Sequence, residues 1–130
     1  MRIVFDSNVI LAAFASRGLC AELFESCITA YDIVLNKQII DEVSGNLSKK
    51  LKMPNDKIEL IVNFLMEFCT FIETQNIPEK LSRDPDDDGI INLALESGSE
   101  YIITGDKDLL VIKEYKSIKM LTPRSFLEIK

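Results

Sequence analysis

The fold is decided by residues 83–110, which read RDPDDDGIINLALESGSEYIITGDKDLL. Four aspartates stand before an apolar run with helical spacing, and the run ends at Gly98, a residue type that commonly terminates helices. Residues 101–104 form a largely apolar run typical of a short buried strand, and two more aspartates follow its carboxyl end. The stretch therefore predicts a helix and a buried strand, each with carboxylates at one end.

The aspartates before this helix differ in the direction they face. At about 100° per residue, Asp87 falls near the middle of the apolar face, Asp88 at its edge and Asp86 on the far side. Interaction with the free N–H groups and positive dipole of the first turn explains Asp86 and Asp88 as well as a ligand role does. An inward carboxylate needs a partner that offsets its desolvation. A metal ion would be such a partner for Asp87.

Strands and helices alternate along the whole chain. Further apolar strands are predicted at residues 3–5, 32–35, 70–72 and 118–121, and a closing helix is predicted to begin at Pro123. Residues 109–115 are interpreted as a short helix or turn. This pattern predicts one domain spanning residues 1–130, with a three-layer α/β/α sandwich around a mainly parallel sheet.

Acids that are distant in sequence are predicted to meet at one edge of the sheet. Asp6 and Asp106 follow strands, and Glu42 and Asp87 lie near the starts of helices. Ligands of parallel α/β sheets bind beyond the carboxyl ends of the strands, where these acids would converge. Two alternatives stay open: Asp6 caps the next helix, and Glu42 is a solvated helix charge, which is its commoner role when it is considered alone.

Composition restricts the chemistry to carboxylate, hydroxyl, amide and lysine groups. The chain has no histidine, which excludes Ser-His-Asp catalysis and His-ligated zinc. Its three cysteines form no CxxC pair and are interpreted as reduced core thiols, so a cytoplasmic location is expected. No apolar run has the length of a membrane span. The net charge of −6 argues against binding nucleic acid by bulk electrostatics but leaves a metal-neutralised acidic site open.

The sequence resembles the PIN-domain ribonucleases, particularly the VapC-like toxins of prokaryotic toxin–antitoxin systems. The resemblance covers essentially the full length, and its acidic motifs occur in the family's order. It depends on residues 4–9 (VFDSNV), on Glu42, on residues 84–88 (DPDDD), on residues 104–109 (TGDKDL) and on the ending at residues 121–127 (LTPRSFL).

This resemblance implies a metal-dependent endoribonuclease that hydrolyses RNA phosphodiester bonds, with Mg²⁺ or Mn²⁺ held by acids and water as the nucleophile. The implied catalytic residues are Asp6, Glu42, Asp87 and Asp106. Asp6, Asp87 and Asp106 would hold the ion, Glu42 would complete or bridge the site, and Asp88 is the alternative to Asp87. Further roles at the ion are expected for Asp84 and Asp108, and orientation of water or ligands for Ser7, Asn8 and Thr104.

The resemblance also implies partners. These are an RNA substrate, a small antitoxin that covers or distorts the acidic cleft, and a second copy of the chain in a homodimer. The helix at residues 58–68 is rich in apolar residues, typical of core packing or of a partner surface. Contacts with the RNA backbone are expected from Lys107 or from Lys49, Lys50 and Lys52, although a solvated basic turn is the commoner role of the latter three.

Two other functions are considered. A PIN fold that serves as a non-catalytic binding module would lack one of the acids, and none is missing. A phospho-receiver switch domain would need adjacent acids after the first strand and a phosphoacceptor aspartate after the third. The chain has Asp6 alone after the first strand and Glu73-Thr74 after the third, so the receiver function is disfavoured.

Overall fold

The computed structural model describes residues 1–74 and 85–129, and a six-stranded sheet forms its centre. The strands are β1 (Arg2–Phe5), β2 (Asp32–Leu35), β3 (Thr70–Phe71), β4 (Tyr101–Ile103), β5 (Glu114–Tyr115) and β6 (Ile118–Leu121). Their spatial order is β3-β2-β1-β4-β6-β5, and every pair is parallel except β5 with β6. The predicted mainly parallel sheet is therefore confirmed.

Helices cover both faces of the sheet, which confirms the predicted three-layer α/β/α sandwich. They are α1 (Ser7–Ala15), α2 (Leu19–Ala30), α3 (Lys37–Lys49), α4 (Asn55–Phe68), α5 (Pro85–Ser97), α6 (Lys107–Leu110) and α7 (Pro123–Ile129). Among the described residues, no single helix is long and apolar enough to cross a membrane. The consecutive helices α1 and α2 meet that criterion only as a pair, across a bend of 108°.

The core explains why the strands are continuous apolar runs. Ile3, Val4 and Phe5 of β1 are completely buried, because this strand has neighbours on both edges and helices on both faces. β1 pairs with both β2 and β4, and the chain proceeds from β1 toward one edge of the sheet and from β4 toward the other. The carboxyl ends of β1 and β4 therefore form the topological switch point, where parallel α/β proteins bind ligands.

The interpretation of residues 109–115 as a short helix or turn is wrong at its carboxyl end. Glu114 and Tyr115 form β5, which pairs with β6 through a two-residue hairpin turn. The turn residues Lys116 and Ser117 have φ of 48° and 71°, so both adopt the left-handed conformation that a type I′ turn requires. Lys116-Ser117 does not indicate a hairpin, because Asn-Gly or Asp-Gly usually occupies these positions.

Helix α5 ends as its glycine predicts. Gly98 has φ of +69°, its N–H donates to the carbonyl of Leu95 at 3.3 Å, and Ser99 N–H donates to the carbonyl of Ala94 at 3.0 Å. This pair of hydrogen bonds is the Schellman motif, which needs a residue without a Cβ at the left-handed position.

Gly98→Ala is expected to lower the free energy of unfolding by about 1–2 kcal/mol, because an L-residue is strained in the left-handed region. Gly45→Ala is the matched control: Gly45 lies within α3, and an added Cβ would meet nothing within 4 Å. It should raise stability by roughly 0.5–1 kcal/mol, the usual difference between glycine and alanine in a helix. Urea titrations monitored by circular dichroism measure both, and changes of the same sign would contradict the expectation.

Candidate metal centre

Backbone pairing and one hydroxyl hold two of the acids at the switch point. Asp6 follows β1, and its N–H donates to the carbonyl of Ile103 at the end of β4, at 2.9 Å. Thr104 is fully buried, and its Oγ1 donates to Asp6 Oδ2 at 2.8 Å. The same oxygen accepts from the N–H of Asp106 at 2.9 Å. A single threonine side chain therefore connects the residues after β1 and β4.

Two further carboxylates, from Asp87 and Asp108, meet Asp106. One carboxylate oxygen from each of Asp87, Asp106 and Asp108 can be chosen so that all three lie within 4.8 Å of one another. Asp106 Oδ1 accepts from the N–H of Asp108 at 2.8 Å, which sets the first turn of α6 and places the two side chains side by side. Asp87 comes from the first turn of α5 and is 4% exposed, as expected for an acid on its apolar face.

Glu42 flanks the cluster from α3. The negative charges of Asp86 and Asp6 both act on its carboxyl group, which places it between α5 and the end of β1. Gln38 lies one turn earlier on α3, and its Nε2 donates to the backbone carbonyl of Asp86 at 2.9 Å. Helices α3 and α5 are therefore linked at the same edge of the sheet.

Burial and mutual repulsion change the proton affinity of these groups. Burial raises the pKa of the Asp6 carboxyl, hydrogen bonds from Thr104 and Ser7 lower it in part, and the charge of Asp106 raises it again. The pKa of Glu42 is raised by burial first and then by the charges of Asp86 and Asp6. Both carboxyls therefore bind protons more tightly than they do in water, which is the usual consequence of crowding acids without a cation.

The other residues singled out in the sequence lie at varied distances from this cluster. Ser7 is buried beside Asp6, and its Oγ lies 3.5 Å from Asp6 Oδ1, whereas Asn8 is exposed. Asp88 is buried like Asp87, and Asp86 is exposed, as the helical wheel predicts. Asp84 lies outside the described residues.

The lysines singled out in the sequence are divided between the carboxyl end of α3 and the acidic edge. Lys107 is exposed and follows Asp106 directly. Lys49 ends α3, seven residues after Glu42 and hence about 10 Å farther along the helix axis. Lys50 and Lys52 continue beyond that end. Lys107 therefore lies beside the carboxylates, whereas Lys49, Lys50 and Lys52 lie away from them.

Two residues at this edge were not singled out from the sequence, Gln38 and Gly89. An added Cβ on Gly89 would lie 2.2 Å from Gln38 Oε1, so the glutamine side chain lies directly across the first turns of α5. A glycine within a predicted helix was the available signal, because it weakens the helix unless close packing requires it. Identifying Gln38 as its neighbour required the tertiary structure.

The side chains at the switch point fit a hard divalent cation. They offer carboxylate oxygens, which Mg²⁺ and Mn²⁺ prefer, and no soft nitrogen or sulfur ligands among the described residues of the cluster. Burial first, and then neighbouring carboxylates, raise the pKa of Asp6 and Glu42, and a bound cation would favour the charged form of both groups.

A mainly parallel α/β sheet with acids at its switch point defines the class of protein: an α/β domain with a candidate divalent-metal site. The model of the PIN domain family matches residues 2–108. The chain therefore belongs to the PIN domain family, as its sequence motifs predict.

A solved structure with the same fold is that of VapBC2 from Rickettsia felis bound to a DNA fragment from its promoter. The match has a TM-score of 0.67 at 12% sequence identity, and it covers 94% of this chain and 98% of the other. No match to a curated protein was found.

The pKa of Asp6 predicts how the metal-free protein responds to pH. A carboxyl with a raised pKa binds more protons when folded than when unfolded, so stability falls as the pH rises from the unfolded pKa through the folded pKa. Asp6→Asn removes this titration and keeps an oxygen that accepts from Thr104. In chelator, the variant should therefore gain stability relative to wild type as the pH rises from 4 to 7, measured by urea unfolding. A relative loss across that range would contradict the assigned direction.

Proposed function

We propose that this chain is a metal-dependent endoribonuclease that hydrolyses RNA phosphodiester bonds. The observation that carries the proposal is the convergence of Asp6, Asp87 and Asp106 from three separate elements in a member of the PIN domain family. Asp108 joins them in the structure. Family membership supports this function over a phospho-receiver switch, and the complete set of acids supports an enzyme over a binding module.

The residues have distinct roles in the proposed reaction. Asp87, Asp106 and Asp108 would hold Mg²⁺ or Mn²⁺, with Asp6 beside them and Glu42 completing the site from α3. When bound, the cation would lower the pKa of water and neutralise charge on the phosphodiester in the transition state. Thr104 keeps one oxygen of Asp6 hydrogen-bonded and therefore sets the direction of the other. Glu42, at the edge of the cluster and with a raised pKa, is the group to which we assign acceptance of a proton from water.

RNA would approach across the carboxyl edge of the sheet. Lys107 is the exposed cation nearest in sequence to the acids, and we assign it a contact with the RNA backbone. Lys49, Lys50 and Lys52 lie past the far end of α3 and would meet only a longer RNA. Hydrolysis of cellular RNA implies a cytoplasmic location, which is consistent with the three free cysteines.

A toxin role is the form of this function that we propose. The structural neighbour is VapBC2 bound to promoter DNA, and the resemblance of the acidic motifs to VapC-like toxins agrees with this role. A small antitoxin would then inhibit the enzyme by covering or distorting the acidic cleft. Such an inhibitor needs no change in the fold, because the carboxylates lie at an open edge of the sheet.

A homodimer is proposed through α4. One side of this helix packs in the core through Ile58 and Leu65. On another side lies the α4 stripe, defined here as Leu60, Phe64 and Phe68, which recur every four residues and are 69%, 37% and 54% exposed. The Phe64 and Phe68 rings lie 4.8 Å apart, and Phe14 of α1 extends the same apolar surface. Aromatic side chains this exposed are typical of protein interfaces.

Cleavage of a mixed panel of single-stranded and structured RNAs tests the enzyme proposal. Mn²⁺ or Mg²⁺ should support cutting and chelator should abolish it. Asp6→Asn and Asp87→Asn should each lower the rate by roughly 10²-fold or more, since an active-site cation contributes several kcal/mol.

Glu100→Gln is the matched control for these variants. Glu100 is an exposed acid just before β4, at the edge of the sheet opposite the cluster, so its removal should leave cleavage unchanged. Cutting that survives in both aspartate variants, or that persists in chelator, would refute the assigned site. Absence of cutting by wild type on every RNA would favour the binding-module alternative.

Sedimentation velocity tests the dimer. Wild type should sediment as a dimer, and the double variant Leu60→Ser/Phe68→Ser should sediment as a folded monomer, because the substitutions remove two exposed apolar anchors of the α4 stripe. Val111→Ser changes an apolar residue that is 74% exposed but lies after α6, and it should remain dimeric. A dimer that persists in the double variant would place the interface elsewhere.

A further inference from the structure

The side chain of Gln38 spans the gap between the two helices that contribute acids to the site. On its own helix, it lies four residues before Glu42 and is one of the hydrogen-bond partners that lower the pKa of that carboxyl. On the facing helix, its Nε2 donates to the backbone carbonyl of Asp86 at 2.9 Å, one residue before Asp87. Gln38 therefore contacts an acid of α3 and the backbone that carries an acid of α5.

Gly89 provides the space that this arrangement requires. A Cβ at position 89 would overlap Gln38 Oε1 and lie 3.2 Å from Gln38 Cδ, so the glutamine side chain would have to leave its present position. Gly89 is helical and does not lie in the left-handed region, so its backbone conformation would accept alanine. Glycine destabilises a helix relative to alanine, and the close approach of Gln38 is the structural reason for its presence here.

The two halves of the acidic cluster are held in different ways. Strand pairing and the Thr104 hydroxyl fix Asp6 relative to Asp106. Glu42 and Asp87 lie on helices, whose positions depend on side-chain packing. A change of about 1 Å in the separation of these helices would move the carboxylates out of ideal geometry for a small cation, which tolerates little deviation.

We propose that Gln38 is a positioning residue for the cation, and that Gly89 is its required counterpart. The glutamine holds the start of α5 against α3 so that Asp87 and Glu42 face the same ion. The proposal rests on the metal site of the proposed function but does not depend on which substrate is cleaved. Gln38 would act through these acids and would touch neither the ion nor the RNA.

Calorimetric titration of the metal-free protein with Mn²⁺ tests this role without measuring activity. Gln38→Ala and Gly89→Ala should each weaken Mn²⁺ binding by about 10-fold or more, the usual effect of removing a partner that orients a metal ligand. Gln38→Met keeps the length of the side chain but removes its donor, and it should weaken binding to a similar extent. Gly45→Ala on the same helix as Gln38 is the control and should bind Mn²⁺ as wild type does.

The double variant Gln38→Ala/Gly89→Ala distinguishes a direct contact from two independent defects. Shortening residue 38 makes room for the new Cβ, so the double variant should bind Mn²⁺ about as weakly as either single variant. Independent effects would multiply to about 100-fold. The same cycle in the thermal midpoint of the metal-free protein should show that Gln38→Ala suppresses most of the destabilisation caused by Gly89→Ala.

Several outcomes would overturn the proposal. If Gln38→Ala and Gln38→Met bind Mn²⁺ as wild type does, Gln38 has no positioning role, even if their thermal midpoints fall. If the double-variant effects multiply, the contact with Gly89 is not the cause. Both results leave the nuclease proposal intact. If wild type binds no Mn²⁺, both the metal centre and this inference are overturned. If Gly89→Ala does not fold, the Mn²⁺ titrations of Gln38→Ala and Gln38→Met still test the role of Gln38.

Discussion

The constraint on which the site depends is the repulsion between carboxylates that the fold forces together. Asp6, Asp87, Asp106 and Asp108 come from three elements and are buried or half-buried at one edge of the sheet. Burial, with a smaller contribution from neighbouring negative charges, raises the pKa of Asp6 and of the nearby Glu42. The rest of the fold must supply the energy that holds these charges close, and the fully buried strands around them do so by burying apolar surface. A bound cation would remove the conflict, which is why the strain points to function.

Two kinds of interaction hold the acids in place despite their repulsion. Backbone hydrogen bonds between β1 and β4, extended by Thr104, set one pair of acids with little freedom. Glu42 and Asp87 are set by how α3 and α5 lie against each other, and there the half-buried Gln38 side chain approaches Gly89 closely. Backbone pairing is insensitive to side-chain substitution, whereas helix packing is not. Variation at the α3–α5 contact would therefore tune the site more readily than variation in the strands.

The surfaces away from the acids have a separate role. The α4 stripe exposes large apolar side chains on a helix whose opposite side completes the core. In the proposed dimer this helix would serve both stability and association. The acids of the candidate site lie on other elements, so pairing through the α4 stripe would not use them.

The sequence by itself determined the fold class, most of the element boundaries and the set of candidate acids. The apolar strands and the inward position of Asp87 follow from the spacing of apolar residues. The helix end at Gly98 follows from its residue type. Both signals depend only on neighbours in the chain. Three features depended on the tertiary structure. The Lys116-Ser117 hairpin adopts left-handed backbone without the usual residues, Asp108 joins Asp87 and Asp106 in the tightest group, and Gln38 meets Gly89 across 51 positions of sequence. Each depends on strand pairing or side-chain contacts that no local pattern of residue types identifies.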